Sequence, residues 1–568
     1  MCIFKWFRRG SEPKTAQPAV YKFQVTKHRD ADGYYPIVCP YCLKKFQIWE
    51  AEFRSPAPPI DFTNDGKTSQ NQGAGKNQSG DNNQTVVNDS RWGRAGRQSR
   101  VSSEQQINEP QQADYSSKQE EAKKTYTMPN SSSGFGAELD EKYNKFETTV
   151  TGTESNRALG RVLKLFDGNG DPTGEVTHVS LMNRETGAVD ENNKKIPLAG
   201  KKKKDFEKLP IMYVVNKFGE ACYERICPHC HHRISNYVGI WPSYTVALIG
   251  DTKVGKTVFL YKLGAELTTR GILGSELMGT EANPEYSGWI RKAMELDAHS
   301  EKGDEMTEPT VLTFMPPNIV NLRNTNGGGG IVLNLFDFPG EALSIPIAER
   351  PDPEKLAAVK VFADHYKNYV DNVDAWMVLF DSISFETVRA VFEADPSLKK
   401  HLKDRTGTAT PVQLLAYFEK EYLDAHNNMF IKPLAAIMSK SDFIKTAAAK
   451  SDGYFSNLQT KPRFLNPNPN ANRDRKRIDL DDVCICGEEI AEFLKGDGGD
   501  TLLYDRCKST DAQVACWFAL SSKGVTESAA AMPVRITEPL EWILWRLGLV
   551  EGKGTMNPGE GDEPIKVR

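Results

Sequence analysis

The chain has 568 residues, 39% of them apolar, which is enough for about two to four domains with a real hydrophobic core in part of the chain. Its formal net charge of −4 at pH 7 predicts no general affinity for nucleic acid. No apolar run approaches the ~18 residues of a membrane span, and the opening MCIFKWFRRG has too short an apolar stretch for a secretory signal, so we expect a cytoplasmic protein without a membrane span.

Two matched cysteine pairs, CPYC at 39–42 and CPHC at 227–230, each follow an apolar residue. Each pair resembles one knuckle of a zinc ribbon, in which two thiolates point at one site and two knuckles complete a tetrahedral Zn²⁺. We predict that residues 1–50 and 218–240 are the two halves of a split ribbon. The predicted zinc ligands are Cys39, Cys42, Cys227 and Cys230, with His231 and His232 in reserve if the pairs act separately.

A long polar segment separates these two halves. Residues 56–147 are dominated by Asn, Gln, Ser, Gly, Lys and Glu, which cannot bury enough apolar surface to offset ordering entropy, so we predict a disordered insertion over 51–147. Residues 148–217 contain β-like runs such as RVLKLFD and THVSLMN between turn signals, and predict a small β module. Such an insertion is tolerated because each doubling of loop length costs only about 0.6 kcal/mol.

The run TVALIGDTKVGKTVFLYKL, residues 245–263, places a β-branched strand before a glycine-containing loop and an amphipathic helix after it. This is the context of a P-loop, in which backbone N–H groups and the helix N-terminus face phosphate. We expect Lys256 to reach the β and γ oxygens as a catalytic residue and Thr257 to ligate Mg²⁺. The predicted phosphate-binding residues are Gly250, Asp251, Thr252, Lys253, Val254, Gly255, Lys256 and Thr257.

Two segments further along are candidates for nucleotide-sensing loops. Glu308-Pro309-Thr310 stands before VLTFM, which we interpret as a strand, and resembles the effector loop whose threonine closes on Mg²⁺; Thr310 is the choice, Thr307 the fallback, and a Pro-containing turn the alternative. The apolar run GIVLNLFDFPGE ends in a D-x-x-G pattern, in which Asp337 would hold Mg²⁺ through water and the Gly340 N–H would contact the γ-phosphate. Glu341 replaces the common water-orienting Gln, and its charge predicts slow hydrolysis.

Two later strand ends carry a signature for the base. PLAAIMSKSDF closes on Ser439, Lys440 and Asp442, close to the [NT]-K-x-D pattern, and VACWFALSSKG gives the loop Ser521, Ser522 and Lys523. A carboxylate at Asp442 suits guanine, which presents N1–H and N2–H₂ as adjacent donors, whereas adenine has an acceptor at N1. Mispairing a buried charged acceptor costs on the order of 1–3 kcal/mol, enough to select the nucleotide.

The coarse element order from 241 to 552 alternates strands and helices, including helices at 351–373 and 412–426, and has an insertion at about 443–510. This order predicts an α/β fold, a P-loop NTPase with a mostly parallel sheet, preceded by the zinc ribbon and β module. The final segment, 553–568, is expected to be a flexible tail. Cys222, Cys507 and Cys516 are expected in the core, and Cys484-Ile485-Cys486 has the wrong spacing for a knuckle.

Over 243–552 the chain resembles a Ras-like TRAFAC GTPase. More narrowly, the split C-P-x-C knuckles together with GDTKVGKT, DFPGE, SKSD and a terminal PLEWILW helix are similar to the bacterial "double-GTPase" group. The resemblance implies a GTP/GDP-operated switch using Mg²⁺ and Zn²⁺ and working with companion proteins of a conflict or defence system, including a second GTPase or an activating protein.

Two other functions remain open. An ATPase of the AAA or STAND kind would require Asp442 to be unrelated to the base, and the D-E pair that it would carry after the third strand is absent from the sequence. A non-catalytic scaffold would use the ribbon and β module to bind a partner or nucleic acid, while nucleotide only stabilises the fold. The carboxylate at Glu341 keeps that alternative open.

Overall fold

In the computed structural model the described residues are 27–54, 125–126, 176–200, 208–216, 219–229, 233–251, 254–270, 275–277, 311–312, 318–324, 329–337, 340–348, 351, 353, 356, 367–402, 409–424, 429–451, 462–467, 477–496, 498, 500–509, 515–522 and 533–554. All of them belong to one compact unit, Met1–Ala57 with Lys124–Arg568; the other unit, Pro58–Lys123, lies outside them. The predicted disordered insertion therefore falls outside the described residues except for 51–54 and 125–126, and so does the predicted tail after residue 554.

Short strands form the part of the chain before the P-loop. In the described residues they are β1 (Ile37–Val38), β2 (Lys45–Phe46), β3 (Glu52–Arg54), β4 (Thr125–Tyr126), β5 (Val176–Leu181), β6 (Ile196–Pro197), β7 (Ile211–Asn216), β8 (Ala221–Cys222) and β9 (Glu224–Ile226). β1 pairs with β2, and β3 pairs with β9, both antiparallel. β3 precedes the long polar segment and β9 follows it, so their pairing brings together parts of the chain on either side of that segment.

The four strands β5 to β8 form one antiparallel sheet in the order β6-β5-β7-β8. Its apolar face buries Val179 and Val214, and Phe53 of β3 packs in the same core. Cys222 of β8 is fully buried there, as expected of a core cysteine. The β module therefore shares a core with β3, the strand that follows the first cysteine pair.

The remaining strands and helices follow from residue 243 onward. The strands are β10 (Ser243–Gly250), β11 (Ser275–Leu277), β12 (Val311–Leu312), β13 (Asn318–Asn324), β14 (Gly330–Asp337), β15 (Ala375–Asp381), β16 (Leu423–Asp424), β17 (Met429–Phe430), β18 (Leu434–Ser439), β19 (Arg477–Asp479), β20 (Ala515–Ala519) and β21 (Glu551–Lys553). The helices are α1 (Lys256–Arg270), α2 (Gly340–Ile347), α3 (Glu386–Ala394), α4 (Pro411–Tyr422), α5 (Asp442–Lys450), α6 (Leu480–Lys495), α7 (Thr501–Ser509) and α8 (Glu538–Arg546).

Seven strands form the central sheet in the order β11-β13-β14-β10-β15-β18-β20. The five strands from β14 to β20 are parallel, and β11 and β13 are antiparallel additions at one edge. The predicted mostly parallel α/β sheet is confirmed. Because the carboxyl ends of parallel strands meet at one edge of a sheet, the residues that follow β10, β14, β15, β18 and β20 are brought together there.

Both faces of this sheet are covered. Along β15, Trp376 and Val378 face one core while Met377 and Leu379 face the other, the two-residue alternation expected of a strand buried on both sides. Leu494 of α6 belongs to the first core. The second core contains residues of α8, among them the buried Trp542 and Trp545.

The predicted strand VLTFM is present in its described part and lies outside the central sheet. Of the run VLTFM, the described residues form β12, which pairs in parallel with β4 outside the central sheet. The strand antiparallel to β14 is instead β13, whose short apolar run is interrupted by Asn321 and gives only a weak strand pattern.

A further helical segment covers 367–372, within the helix predicted at 351–373. Among the described helices, none combines the length and apolar character needed to cross a bilayer.

Candidate functional site: a P-loop and a base-recognition loop at one sheet edge

The P-loop connects β10 to α1. Gly255 has φ +93°, a left-handed conformation that other residues adopt at a cost. A Cβ at Gly250 would lie 2.6 Å from the Leu379 carbonyl oxygen, so the strand end tolerates no side chain there. Val254 is buried, whereas Thr252 and Lys253 lie outside the described residues. The loop therefore needs its glycines for backbone geometry and for close packing against β15.

Lys256 lies at the first position of α1 and is only 9% exposed. Its Nζ donates to the carbonyl oxygens of Gly250 and Asp251, both at 2.9 Å. The ammonium group is thus held across the mouth of the loop by backbone acceptors. A phosphate oxygen at this mouth would meet a fixed positive charge together with the N-terminus of a 15-residue helix.

The next residue lies beside the carboxylate predicted for Mg²⁺. Thr257 Oγ1 donates to Asp337 Oδ2 at 2.8 Å, and Asp337 ends β14, the strand next to β10. A hydroxyl and a carboxylate oxygen side by side at a phosphate-binding loop are the hard oxygen donors that Mg²⁺ takes, with the remaining positions filled by water and substrate phosphate. The donor set therefore fits Mg²⁺.

Helix α2 packs directly on the P-loop. A Cβ at Gly340 would lie 2.0 Å from the Gly250 carbonyl oxygen and 2.9 Å from Lys256 Nζ, so only glycine fits at this position. One turn later, Ser344 Oγ donates to Asp251 Oδ1 at 2.8 Å, and both residues are buried. The side chain of Glu341 and the predicted Thr310 and Thr307 lie outside the described residues.

The strand end after β18 contacts the P-loop from the other side. Ser439 Oγ lies 2.7 Å from the Val254 carbonyl oxygen and 3.0 Å from that of Phe380. Lys440 follows with φ +55°, and its side chain passes Gly255, where a Cβ would be 3.9 Å from Lys440 Cε. Ser439, which stands where the [NT]-K-x-D pattern has Asn or Thr, therefore still links β18 to the P-loop.

Asp442 and Ser521 come together from two neighbouring strand ends. Ser521 Oγ donates to Asp442 Oδ1 at 2.7 Å, and the backbone N–H of Ser441 donates to the Leu520 carbonyl at 3.0 Å. Ser522 is partly buried beside them, whereas Lys523 lies outside the described residues. The two predicted base-contacting segments thus form one hydrogen-bonded unit.

Sequence reasoning missed two residues of this site, Asp381 and Ser344. Asp381 Oδ2 pairs with Lys440 Nζ at 2.8 Å, and the Asp381 side chain is 1% exposed. A signal for Asp381 was present, because it closes the buried strand AWMVLFD at the edge where the ligand loops lie. Ser344 has no such signal, since it stands in the middle of a helix.

Three of the four predicted zinc ligands lie together. The Sγ atoms of Cys39, Cys42 and Cys227 are all within 4.8 Å of one another, although Cys42 and Cys227 are 185 residues apart. The N–H groups of Tyr41 and His229 donate to Cys39 Sγ and Cys227 Sγ, both at 3.4 Å. Cys230, His231 and His232 lie outside the described residues. The described thiols fit a tetrahedral metal that takes a fourth ligand.

The other cysteines differ from this cluster. Burial raises the pKa of Cys516 to about 12, so it stays a protonated core thiol. Cys486 is buried in α6 with its Sγ 3.9 Å from Asp482 Oδ2, and burial raises its pKa as well. Within the described part of the chain, Cys484 and Cys486 join no group of metal-ligating side chains. The side chain of Cys507 lies outside it.

Comparisons with known proteins find structural likeness without sequence relatives. No family model matches the chain, and no curated protein matches it. A crystal structure of Era from Aquifex aeolicus bound to GDP·AlF₄⁻ is 12% identical, with 56% of this chain covered, 60% of that chain covered and a TM-score of 0.22. The Ski7 GTPase-like domain of S. cerevisiae, bound to GDP and phosphate, is 13% identical, with coverage of 54% and 50% and a TM-score of 0.25.

The Arl6 small GTPase of Trypanosoma brucei with bound GppNp is 12% identical, with 54% of this chain and 97% of that chain covered and a TM-score of 0.22. The chain thus spans 60% of the Era chain and 50% of the Ski7 chain. At these TM-scores the likeness supports no statement about function. The assignment depends on the residue geometry of the sheet edge.

Proposed function

We propose that this chain binds GTP and GDP with Mg²⁺, hydrolyses GTP slowly and acts as a nucleotide-dependent switch. One observation carries the proposal: Asp442, held by Ser521, and the P-loop lysine Lys256 lie at the same edge of one parallel sheet. The side chain of Lys440 lies beside Gly255 and so connects the segment of Asp442 to the P-loop. A nucleotide with its phosphates on the P-loop would therefore have its base at Asp442.

The chemistry of Asp442 favours guanine. A carboxylate accepts from both N1–H and N2–H₂ of guanine, whereas adenine offers an acceptor at N1 and would leave the carboxylate mispaired. Leaving a buried charged acceptor mispaired costs on the order of 1–3 kcal/mol, about 5- to 150-fold in affinity. Ser521, which donates at 2.7 Å, supports this role because it fixes the orientation of the carboxylate.

At the phosphate end, Lys256 would bind the β and γ oxygens, and Thr257 with Asp337 would hold Mg²⁺. Bound magnesium would neutralise charge on the transferred phosphoryl group. Thr310 and Gly340 remain the predicted contacts that respond to the γ-phosphate. Glu341 is predicted to slow hydrolysis, because its carboxylate is repelled by the phosphate and replaces a residue that orients water.

The test compares bases. We expect the wild-type protein with Mg²⁺ to bind fluorescent mant-GDP at least about fivefold more tightly than mant-ADP, the factor that corresponds to a mispairing cost of about 1 kcal/mol. Asp442→Asn should lose GDP affinity and gain affinity for mant-XDP, because an amide donates to the additional carbonyl of xanthine. Asp395→Asn is the control, since Asp395 pairs with Lys450, which lies at the opposite end of α5 from Asp442. Equal affinity for GDP and ADP would contradict the proposal and favour the ATPase or scaffold alternatives.

We also propose that Cys39, Cys42, Cys227 and Cys230 hold one structural Zn²⁺. The support is the convergence of three thiols from the two matched knuckles. Metal analysis of Cys39→Ser and Cys227→Ser proteins should show that each loses the same single zinc, while Cys516→Ser retains it because Cys516 is a core thiol. A full zinc complement in either knuckle variant would exclude a shared site.

The setting is proposed from the resemblance of the motifs to the double-GTPase group. In that setting the chain is cytoplasmic and works with companion proteins of a bacterial conflict or defence system, one of which is a second GTPase or an activator of hydrolysis. A partner that supplies a positive charge beside Glu341 would raise the hydrolysis rate. Single-turnover GTP hydrolysis with and without a candidate partner measures this directly.

A further inference from the structure

A buried arginine outside the nucleotide motifs lies next to the base-recognition loop. Arg535 has φ +53°, and its side chain is 2% exposed. Its neighbour Val534 exchanges two backbone hydrogen bonds with Ser521, at 2.9 and 3.2 Å. Ser521 in turn donates to Asp442. Arg535 therefore directly follows Val534, the backbone partner of Ser521, and Ser521 orients Asp442, the residue proposed to bind guanine.

The guanidinium of Arg535 ties three segments together. Nη1 donates to Asp482 Oδ2 at 2.7 Å and to Glu538 Oε1 and Oε2 at 2.8 and 2.7 Å. Nε lies 3.2 Å from the Arg463 carbonyl oxygen and 2.8 Å from that of Asn466. Asp482 belongs to α6 and Glu538 begins α8. The side chain of Arg535 therefore links the segment 462–467 to these two helices.

The same cation also supports the Asp442 side of the pair. Asn466, whose carbonyl accepts from Arg535, accepts a side-chain hydrogen bond from Lys445 at 3.3 Å. Lys445 lies in α5, the helix that begins at Asp442. Both members of the Asp442 and Ser521 pair are thus connected to Arg535, one through the backbone of Val534 and the other through Asn466 and α5.

Arginine suits this position for a physical reason. Its planar fork donates to several acceptors in fixed directions, while lysine has a single flexible ammonium group. The site also holds the cation charged: burial alone would lower the pKa of Arg535, but the carboxylates of Glu538 and Asp482 raise it above its ordinary value. A lysine would keep the charge and lose part of the fixed geometry.

We propose that Arg535 is a positioning residue for base selection: it fixes Ser521, and through Ser521 the carboxylate of Asp442. This inference rests on the proposed guanine recognition and adds a residue that no nucleotide motif contains. A variant that loosens the anchor would lower affinity for GDP while leaving affinity for ADP unchanged, because the phosphate contacts do not involve Arg535.

The experiment measures affinity for mant-GDP and mant-ADP in wild type, Arg535→Lys, Ser521→Ala and the double variant, with unfolding temperatures alongside. We expect Arg535→Lys to lower GDP affinity about fivefold to tenfold, as expected for a disturbed charged hydrogen-bond network, and ADP affinity less than twofold. Since Arg535 acts partly through Ser521 and partly through Asn466 and α5, the double variant should lose less GDP affinity than the sum of the two single losses. Fully additive losses would overturn the inference.

Arg225→Lys is the matched control. Arg225 is a fully buried arginine of β9 whose Nη1 and Nη2 donate to the Asn236 and Ile48 carbonyl oxygens at 3.1 and 3.0 Å. It should lower the unfolding temperature without changing the ratio of GDP to ADP affinity. If Arg535→Lys changes only the unfolding temperature as Arg225→Lys does, the inference fails. If wild type shows no guanine preference, the proposed function itself fails.

A milder change keeps the inference testable if Arg535→Lys does not fold. Glu538→Gln retains an acceptor oxygen and removes one of the two charges that hold the guanidinium. It should shift the affinity ratio in the same direction by about twofold to threefold, a loss typical of a neutral replacement of a charged acceptor. An unchanged ratio in a folded Glu538→Gln protein would count against a positioning role.

Discussion

The two ends of the proposed nucleotide site are held in different ways. At the base end, Asp442 is oriented by Ser521, and Lys440 is paired with Asp381, so the polar groups are fixed by other protein side chains. At the phosphate end, Lys256 donates to the backbone carbonyls of its own loop, and Thr257 donates to Asp337. These latter groups are the ones proposed to bind phosphate and Mg²⁺.

The base end is therefore prearranged, whereas the groups at the phosphate end must exchange their hydrogen-bond partners when a ligand binds. A ligand at the base end would add contacts to a framework that already exists, and preorganised groups give affinity at low ordering cost. A ligand at the phosphate end would replace internal hydrogen bonds, and Gly340 and Ser344 of α2 pack on that same loop. A switch that senses phosphate is expected to keep its exchangeable contacts at this end.

The largest expected effect comes from removing the cation at the phosphate end. Lys256→Ala should weaken mant-GDP binding about 100-fold or more, which is about 2.8 kcal/mol at 1.4 kcal/mol per factor of ten. The loss should be similar for mant-ADP, because both nucleotides carry the same phosphates. Titration fluorescence measures both affinities.

Lys450→Ala is the control for this variant, since Lys450 pairs with Asp395 away from the loop and its side chain is 48% exposed. It should bind both nucleotides as wild type does. If Lys256→Ala retains wild-type GDP affinity, the loop does not hold phosphate and the comparison between the two ends is lost.

A pair of serine variants tests the two ends against each other. Ser521 and Ser344 each donate to a carboxylate, at 2.7 and 2.8 Å. Ser521→Ala should lower GDP affinity about tenfold, because the carboxylate of Asp442 loses its orientation. Ser344→Ala should leave GDP affinity within about twofold and raise the affinity for a GTP analogue relative to GDP. The variant removes the hydrogen bond from α2 to Asp251 of the P-loop, so α2 can move more easily. Equal losses in both variants would show that the ends do not differ.

The parts of the site that the sequence predicts are those written in contiguous residues. The P-loop and the S-K-x-D run each combine an apolar strand with a ligand loop, so spacing within one segment carries the information. Cys39 and Cys227 were paired across the polar segment because both knuckles repeat one pattern. Local pattern was sufficient in these cases, even where the contact is distant along the chain.

The missed residues depend on tertiary contacts. Lys440 meets Asp381 across 59 residues, and Ser344 meets Asp251 across 93. Nothing in the sequence near Arg535 indicates that its side chain turns inward to Asp482 and Glu538, since a charged residue in a loop is usually solvated. Strand β13 was missed for a related reason: pairing with β14 fixes it more than its own pattern does.

The smallest expected effect concerns pH and the helix beneath the base end. Burial raises the pKa of Glu541, in α8, to about 7 from 4.5, and the nearby charge of Glu538 adds to the rise, while a hydrogen bond with Thr537 lowers it. A raised acid pKa means that the folded protein binds the proton more tightly than the unfolded chain does. The stability from this group is therefore fully present below about pH 4.5 and is lost as pH rises through about 7.

Glu541→Gln removes this titration. The variant should melt at the same temperature as wild type near pH 5 and a few degrees higher near pH 8, because the amide stays neutral at both values. Thermal unfolding from pH 5 to 8 measures the difference, with Glu551→Gln as a control at an exposed ion pair with Arg477. Parallel melting curves for Glu541→Gln and wild type over this range would contradict the assignment.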